Sequence, residues 1–410
     1  HQFRVPPLEL GEGSPAIELF VQRAAAAGAV VDAHDPAVTS ICERLDGLPL
    51  AIELAAARTA TLRPANLARR LGDQLDLLAS RRRQRGRHRS LQAVLEWSWK
   101  LLDPDTRDLL VQLGVFSGGW TLEAAEAVCD DSASVPVRLE TLVASSLVEP
   151  TGSEERTRFR MLEPVRQFST SLFDEDPRRE DLHARHLDWW LAQCRQRSTG
   201  QQWFSGTWAI EINDDFDNFR DVIDRALTTG RIDEASELLG GTIAGFFDGM
   251  HSVEVDRVLD QLAVATPEPA GRVLLAGAFN DIGIGRHVRL AERLEAARTR
   301  SRRDNDTACE AVATTYQGFS SATIDPAQAV ALAERGVELA RLVDDPEIVG
   351  LALGWAGATA FIAGDRQGAL RWLDEARTQP FAEHSLAHFH CLFAEAFVLL
   401  GVGEVDAAEA

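Results

Sequence analysis

The sequence predicts a mainly all-α protein with a small helical domain, a second helical domain that ends in a β-hairpin, and an α-solenoid of helix pairs. Apolar residues recur at helical spacing over most of the chain, and one short stretch alternates polar and apolar side chains as a strand does. In the second half, turn residues recur every 39 or 40 residues. A chain of 410 residues, 45% of them hydrophobic, is long enough for several globular domains.

The first predicted domain covers residues 1–80. Asp35 and Pro36 form the pattern of an N-cap followed by proline at the first helical position. The predicted helices lie near 14–27, 36–45, 49–58 and 64–77.

A short corner, DGLPL at residues 46–50, separates the second and third of these helices. Gly47 can adopt the left-handed conformation that ends a helix, and Pro49 has a fixed φ that suits the start of the next one. From spacing alone, the segment is a rigid elbow between two helices.

A basic segment follows, with six arginines in Ser80–Arg89. It could contact phosphate or nucleic acid, or it could be a solvated linker between two helical domains. We favour the linker, residues 81–89, because such charge runs are usually solvated.

Residues 90–176 show helices followed by a hairpin, which is the order of elements in a winged helix. Ser90, Asp103 and Thr121 are candidate N-caps of the first three helices, and a fourth helix spans roughly 135–145. The two predicted strands are 146–150 and 156–162. Winged helices often read DNA, but the helix TLEAAEAV has two glutamates and no side chain suited to base edges. We therefore interpret this domain as a packing module.

A helical connector is predicted for 177–265 and a repeat array for 266–410. Gly285, Ile324, Gly364 and Gly403 each open a turn between two helical stretches, at separations of 39, 40 and 39 residues. Small residues such as Gly357 would let paired helices approach closely. Four near-equal spacings argue against an accidental period. Stacked helix pairs form a superhelix whose concave face can bind a partner.

Several classes of function are disfavoured. Residues 177–410 carry 22 basic and 37 acidic side chains, so this half is poorly suited to phosphate backbones. No apolar run is long enough to span a membrane. The five cysteines are scattered, which favours buried thiols in a cytoplasmic protein over disulfides or zinc ligands. The chain starts at His1 without Met, and we expect it to be a piece of a longer protein.

Motifs for catalysis or metal binding are also lacking. Lys100, the single lysine, has no glycines nearby and cannot form a P-loop. The acidic run at 211–217 lacks the glycine and closing glutamate of an EF-hand, so we expect a structural role with Phe216 and Phe219 in packing. His183 and His186 are best explained as core or interface residues. This chain is not expected to catalyse a reaction alone.

Two long segments carry a resemblance to a known class: ICERLDGLPLAIELAAAR, and RHRSLQAVLEWSWKLLDPDTRDLLVQLGVFSGGWTLEAAEAVC. They resemble the large bacterial STAND regulators, signal-transduction ATPases related to NB-ARC proteins. The chain is most similar to the long form of the SARP family, the Streptomyces antibiotic regulatory proteins. LETLVASSLVEP, RFRMLEPVRQF and DFDNFRDVIDRALTTGRIDEASEL extend the match, in family order, over essentially the whole chain.

The resemblance implies an effector domain and a P-loop ATPase core, followed by the helical domain, winged helix and tetratricopeptide repeats. Our chain would begin just after the ATPase core. The proline of the GLPL motif would contact the adenine of bound ATP or ADP, which gives this role to Gly47, Leu48, Pro49 and Leu50. No nucleotide is expected to bind tightly to this chain alone, and the parent would be a slow ATPase.

A second family contact is a methionine-histidine-aspartate motif, whose histidine senses the β-phosphate of ADP. The aligned residues here are Met161-Leu162-Glu163-Pro164, so Glu163 replaces the histidine. A carboxylate that faces phosphate is unfavourable without a cation between them. Arg160 or Arg166 could substitute.

The resemblance thus implies the regulatory half of an ATP-dependent transcriptional activator of secondary metabolism. The repeats would receive a protein or small-molecule signal, and the winged helix would lock or release the ATPase core. DNA binding would belong to an absent N-terminal domain, and activation could involve oligomerisation. Two alternatives stay open at this point: the sensor half of a protein with a cyclase or kinase effector, and an interaction scaffold with a vestigial nucleotide corner.

Overall fold

The structure is a computed structural model that describes residues 6–11, 13–71, 87–152, 156–199, 203, 205–246, 251–380 and 386–402. It divides into two compact units, His1–His186 and Leu187–Ala410. The predicted class is confirmed, because the described residues are mostly helical and contain one small three-stranded sheet. The finer domain boundaries stay predictions.

The first unit begins with four helices. Three of the four predicted helices are confirmed to within two residues, and the fourth is described only as far as residue 71. Asp35 caps the second helix, since its carboxylate accepts a hydrogen bond from the Ala37 amide at 2.8 Å. The helices are α1 (Pro15–Ala26), α2 (Pro36–Arg44), α3 (Pro49–Ala57) and α4 (64–71).

These helices share a core in which α3 packs against both α1 and α2. Phe20 of α1, Ile41 of α2 and Ile52 of α3 are fully buried there. One ion pair joins the rims of α1 and α3, with Arg23 Nη2 at 3.2 Å from Glu53 Oε2. The apolar face of each short helix is thus covered by the other two, which is how a nine-residue helix becomes stable.

The rest of this unit has the element order of a winged helix. The predicted caps Asp103 and Thr121 are confirmed, because their side chains accept hydrogen bonds from the amides of Thr106 and Ala124. The elements are α5 (Arg87–Leu101), α6 (Pro104–Gln112), β1 (Trp120–Thr121), α7 (Leu122–Val128), α8 (Val135–Ala144), β2 (Glu149–Gly152), β3 (Thr157–Arg160) and α9 (Glu163–Phe173).

The helix α5 starts earlier than predicted, at Arg87 instead of after a cap at Ser90. The predicted basic linker 81–89 therefore ends inside a helix. Its residues 81–86 lie outside the described part of the chain.

The sheet differs from the predicted two-stranded hairpin in two ways. A third strand, β1, pairs with β3, so the strand order is β1-β3-β2 with antiparallel neighbours. The strand predicted from residue 146 begins only at Glu149, because Ser146 adopts a left-handed φ of 56°. Amide hydrogen bonds from Ser146 to Val143 and from Leu147 to Leu142 close the end of α8 instead.

The histidines have the structural role that was predicted. His186 is 2% exposed, and its ring lies edge-on to Phe116 at 4.9 Å between centroids. His183 makes a similar contact with Phe173 at 5.1 Å. Burial lowers the pKa of His186 to about 3, so this imidazole is neutral at physiological pH.

The second unit is helical throughout its described residues, and α10 runs into it from the first. None of the helices that the structure describes is long and apolar enough to cross a membrane. The helices are α10 (Arg179–Thr199), α11 (Gly206–Asp214), α12 (Phe216–Thr228), α13 (Ile232–Gly241), α14 (Ser252–Ala265), α15 (Gly271–Gly283), α16 (His287–Asp304), α17 (Thr307–Ser321), α18 (Pro326–Val343), α19 (Pro346–Ile362), α20 (Arg366–Ala376) and α21 (Leu386–Val402).

The predicted repeat turns at Gly285, Ile324 and Gly364 each lie between two paired helices. Asp325 and Asp365 cap the second helix of their pairs. The fourth predicted turn, at Gly403, lies outside the described residues. The helix pairs α15/α16, α17/α18 and α19/α20 pack as the period predicts.

Glycine makes the close helix approach possible, as expected for Gly357. A Cβ at Gly357 would lie 2.9 Å from Leu373 Cγ on the paired helix. Gly277 and Gly318 have the same role in the two preceding pairs, with would-be contacts of 2.8 Å to Arg293 and 3.0 Å to Ala329.

Two further sequence interpretations are confirmed. Phe216 and Phe219, beside the acidic run at 211–217, are buried in the core of the second unit. The five cysteines are free thiols, and all of them are buried.

We predict that His186 makes the first unit less stable in acid. The unfolded chain binds a proton below pH ~6.5, whereas folded His186 stays neutral down to pH ~3, so stability falls as pH decreases through this window. His186→Gln should remove about 2 kcal/mol of the loss between pH 7 and pH 5, measured by urea unfolding. His287→Gln, at an exposed position, is the control, and an unchanged pH dependence in His186→Gln would contradict the assignment.

Candidate functional site

The corner at 46–50 is built by a Schellman motif at the end of α2. The Gly47 amide donates to Cys42 O at 3.2 Å and the Asp46 amide to Glu43 O at 3.0 Å. Asp46, with φ 55°, is the residue that ends the helix, and Gly47 follows with φ 66°. Gly47 is therefore left-handed as predicted, but the helix-ending position belongs to Asp46.

Gly47 also allows a close approach between two backbone segments. The Leu8 amide donates to Gly47 O at 2.9 Å, and a Cβ at Gly47 would collide with the carbonyl oxygen of Leu8. The glycine is thus required by both its conformation and its neighbour.

The side chains of the corner differ in exposure. Pro49, at the first position of α3, is exposed, while Leu48 and Leu50 on either side are half-buried. Gly47 is buried beneath the segment that contains Leu8. The corner therefore presents an apolar proline ring on a backbone that is held from both sides.

The second predicted group of residues lies at the start of α9. Glu163 is exposed and forms a bidentate pair with Arg166, with Nε–Oε2 and Nη2–Oε1 distances of 2.9 Å each. Gln167 donates a further bond to Glu163 Oε1 at 2.6 Å. The hydrogen bonds from Arg166 and Gln167 lower the pKa of Glu163, so the carboxylate is ionised and largely neutralised by Arg166.

Arg160 lies just upstream, at the end of β3, and does not join this pair. It is directly across the sheet from Glu149, and Arg160 Nη2 lies 3.2 Å from Glu149 Oε2. Both candidate substitutes for a phosphate-sensing histidine are thus engaged with carboxylates of this chain. Among the described contacts, Glu163 and Arg166 bind each other. The corner at 46–50 instead makes its contacts with Leu8 and with the end of α2.

A cleft of about 260 Å³ adjoins the start of α9. Leu91, Gln92 and Leu95 of α5 form one wall. Pro164, Gln167, Phe168 and Ser171 of α9 form the other wall. The cleft carries apolar and amide groups, with the Glu163–Arg166 pair near its edge.

Sequence reasoning missed Arg58, which directly follows α3. Arg58 Nη2 donates to Ser98 O of α5 at 3.2 Å, and Nη1 donates to Ser145 Oγ at the end of α8 at 3.3 Å. The arginine thus connects the helix that starts at Pro49 with α5 and with the end of α8 in the winged helix. Since its partners lie 40 and 87 residues away, no local pattern could have revealed them.

The helix that directly precedes the hairpin is α8, so α8, and not TLEAAEAV (α7), occupies the position of the helix that contacts DNA bases in a winged helix. The exposed residues of α8 include Val137, Glu140 and Thr141. Its arginine, Arg138, lies 2.8 Å from Asp131 and 3.6 Å from Asp105. Within the described residues, α8 therefore has no cationic side chain that could bind phosphate without competing with a carboxylate.

Comparison with known proteins agrees with this architecture. The family model of a winged helix-turn-helix domain matches residues 102–173. A Mycobacterium tuberculosis protein named "Putative HTH-type transcriptional regulator" is 31% identical over 396 residues, covering 92% of this chain and 44% of its own length. The chain therefore spans less than half the length of this relative. A second protein from the same species, named as uncharacterized, is 39% identical over 194 residues, or 45% of this chain and 49% of that protein.

Among solved structures, the chain is similar to a STAND protein with a tetratricopeptide repeat sensor from Pyrococcus horikoshii. The match covers 97% of this chain and 62% of that one, at 13% identity and a TM-score of 0.43. The winged helix-turn-helix match confirms the winged helix predicted from the sequence. The described residues of the chain combine this domain with helical repeats.

We predict that Gly47→Ala destabilises the first unit by about 1–3 kcal/mol, because Ala is strained at this φ and its Cβ meets Leu8. Gly28→Ala is the matched control, since Gly28 also has positive φ, at 83°, but has nothing within 4 Å of a would-be Cβ. Denaturant unfolding should show a larger loss for Gly47→Ala. Equal losses would mean that the contact with Leu8 contributes nothing.

Proposed function

We propose that this chain is the regulatory and signal-sensing portion of an ATP-dependent transcriptional regulator that controls antibiotic or other secondary-metabolite biosynthesis. The name of its mycobacterial relative and the match to a winged helix-turn-helix model support a regulatory role. The parent protein would add a P-loop ATPase core and a DNA-binding effector domain. Five buried free thiols favour action in the cytoplasm.

The corner at 46–50 is the observation that carries the nucleotide part of this proposal. Pro49 is an exposed ring on a backbone fixed by the Schellman motif and by Leu8. A preorganised apolar surface of this kind can contact an adenine face with little ordering cost. Residues Gly47, Leu48, Pro49 and Leu50 would thus form one edge of an ATP or ADP site completed by the ATPase core.

The Glu163–Arg166 pair would sense the phosphate end of the nucleotide indirectly. While Arg166 is bound by Glu163, its charge is largely compensated, and a phosphate would have to compete with the carboxylate. The Glu163–Arg166 ion pair therefore sets a threshold that a phosphate must exceed in order to bind Arg166. Arg160 is a second cation that could bind phosphate, and there the phosphate would have to compete with the carboxylate of Glu149.

In this proposal the winged helix is a packing element, and DNA is bound by the absent N-terminal domain. The exposed face of α8, which carries Glu140, and the carboxylate-paired Arg138 support this assignment, since phosphate contacts supply most of the affinity for DNA. The helix pairs from α15 onward would receive a protein or small-molecule signal on the repeat surface. Oligomerisation on activation would belong to the parent protein.

A second candidate function is an interaction scaffold with a vestigial nucleotide corner. The observation in its favour is the ion pair between Arg166 and Glu163, the residue that the family resemblance aligns with the phosphate-sensing histidine. The two functions differ in whether the parent protein binds nucleotide through residues 46–50.

We expect Pro49→Ala to weaken binding of ADP to the parent protein by about 10-fold, the effect of losing 1–2 kcal/mol of apolar contact. Isothermal calorimetry on the protein with its ATPase core would measure this. Ala60→Ser, at an exposed position beyond α3, is a control that should leave affinity unchanged. Wild-type affinity in Pro49→Ala would favour the scaffold.

We expect Glu163→Gln to raise the affinity for ADP severalfold, because it removes the bidentate carboxylate with which a phosphate must compete for the guanidinium of Arg166. Glu163→Gln combined with Arg166→Ala should cancel the gain, and the same titration would show it. A loss of affinity in Glu163→Gln would contradict a threshold role for the pair.

A further inference from the structure

Arg58 occupies an unusual position for a cation. It follows α3 directly, and its guanidinium lies between α3, α5 and the end of α8. The two oxygen atoms that accept its hydrogen bonds, Ser98 O and Ser145 Oγ, are neutral. No ion pair of Arg58 occurs among the residues described.

Burial dominates the electrostatics of this side chain. Desolvation lowers the pKa of Arg58 to about 10, a direction that a carboxylate partner would have opposed. Its Nε is buried and lacks an acceptor within the described part of the chain, and the Ser98 hydroxyl beside it is in the same situation. A charged group held in this way is costly unless its surroundings are fixed.

The helix α3 connects this cation to the corner. Pro49 is the first residue of α3 and Ala57 is the last, so the corner and Arg58 lie at opposite ends of a rod about 13 Å long. Six of its nine residues are buried, namely Ala51, Ile52, Leu54, Ala55, Ala56 and Ala57. A rod packed on most of its surface moves as a body, because close-packed cores transmit displacement instead of absorbing it.

We propose that Arg58 is a positioning residue that couples the nucleotide corner at Pro49 to the winged helix through its two hydrogen bonds to Ser98 and Ser145. This inference rests on the proposed function. Nucleotide binding at the corner would displace α3, and Arg58 would transmit this displacement of α3 to α5 and to the end of α8.

The partial burial of Arg58 makes the loss of its two hydrogen bonds costly. A shift of about 1 Å at the end of α3 would stretch both hydrogen bonds beyond effective range. The half-buried guanidinium would then lack protein acceptors unless the contact opened to water. Such an opening would release the winged helix from Arg58.

Hydrogen–deuterium exchange on the parent protein, with and without ADP, tests this coupling. In the wild type, ADP should change exchange in α8 and in the second half of α5. In Arg58→Gln, ADP should still bind, but the ADP-dependent change in α8 should fall about fivefold or more, the lower end of typical coupling between sites. Arg63→Gln, at an exposed position near by, should behave like the wild type.

Two further variants distinguish a loss of coupling from the loss of a positive charge and from a failure to fold. Arg58→Lys keeps the charge but replaces the two Nη atoms, each of which donates to one oxygen, by a single nitrogen, so it should also weaken the coupling. Ser145→Ala removes one acceptor without disturbing Arg58 and should lose part of it. If Arg58→Gln does not fold, Ser145→Ala is the decisive variant. An ADP-dependent change in α8 exchange equal to that of the wild type in Ser145→Ala would then overturn the inference.

The possible failures are distinguishable. If ADP binds and Arg58→Gln responds like the wild type, the inference is wrong and the proposed function stands. A lower melting temperature with an unchanged ADP response would show a merely structural arginine and would also overturn it. If the wild-type parent protein binds no nucleotide, the proposed function fails and the inference fails with it.

Discussion

The packing of α3 between α1 and α5 is the constraint on which the first unit depends. This short helix has two turns and a half, and isolated helices of that length are not stable in water. Its alanine-rich sequence lets neighbouring helices approach closely, and its burial fixes the backbone of the corner at one end and the position of Arg58 at the other. The same element is thus part of the core, of the candidate site and of the contact with the winged helix.

Charges in this unit fall into two kinds. Exposed pairs such as Glu163–Arg166 and Arg160–Glu149 are compensated locally and can exchange partners at small cost. Arg58, in contrast, is half-buried against neutral oxygens and has no carboxylate partner among the described residues. An exposed ion pair suits a group that must respond to a ligand, whereas a half-buried cation with neutral acceptors suits a contact between packed helices.

Local patterns predicted the fold well because they act over a few residues. The caps Asp35, Asp103 and Thr121 were visible from the sequence, since a cap needs only itself and the next turn. The repeat period was visible because each helix pair packs in the same way and therefore repeats the same residue pattern. A boundary such as the start of β2 was missed because Ser146 adopts a left-handed conformation that its residue type does not demand.

The candidate site was only partly predictable. The i, i+3 spacing of Glu163 and Arg166 could have indicated an ion pair on a helix, whereas the contacts of Gly47 with Leu8 and of Arg58 with Ser145 join distant parts of the chain. The helix that precedes the hairpin was misassigned because α5 was counted within the winged helix. Contacts between residues that are far apart in the sequence can be identified only in the folded structure, and such contacts determine the geometry of the corner.

Contact between residues 46–50 and the base of a bound nucleotide can be tested by photocrosslinking the parent protein with an azido-adenine nucleotide, followed by mass spectrometry. We expect a label within the peptide Asp46–Arg58 that excess ADP removes. Labelling confined to other parts of the protein, under conditions where nucleotide is bound, would contradict such a contact.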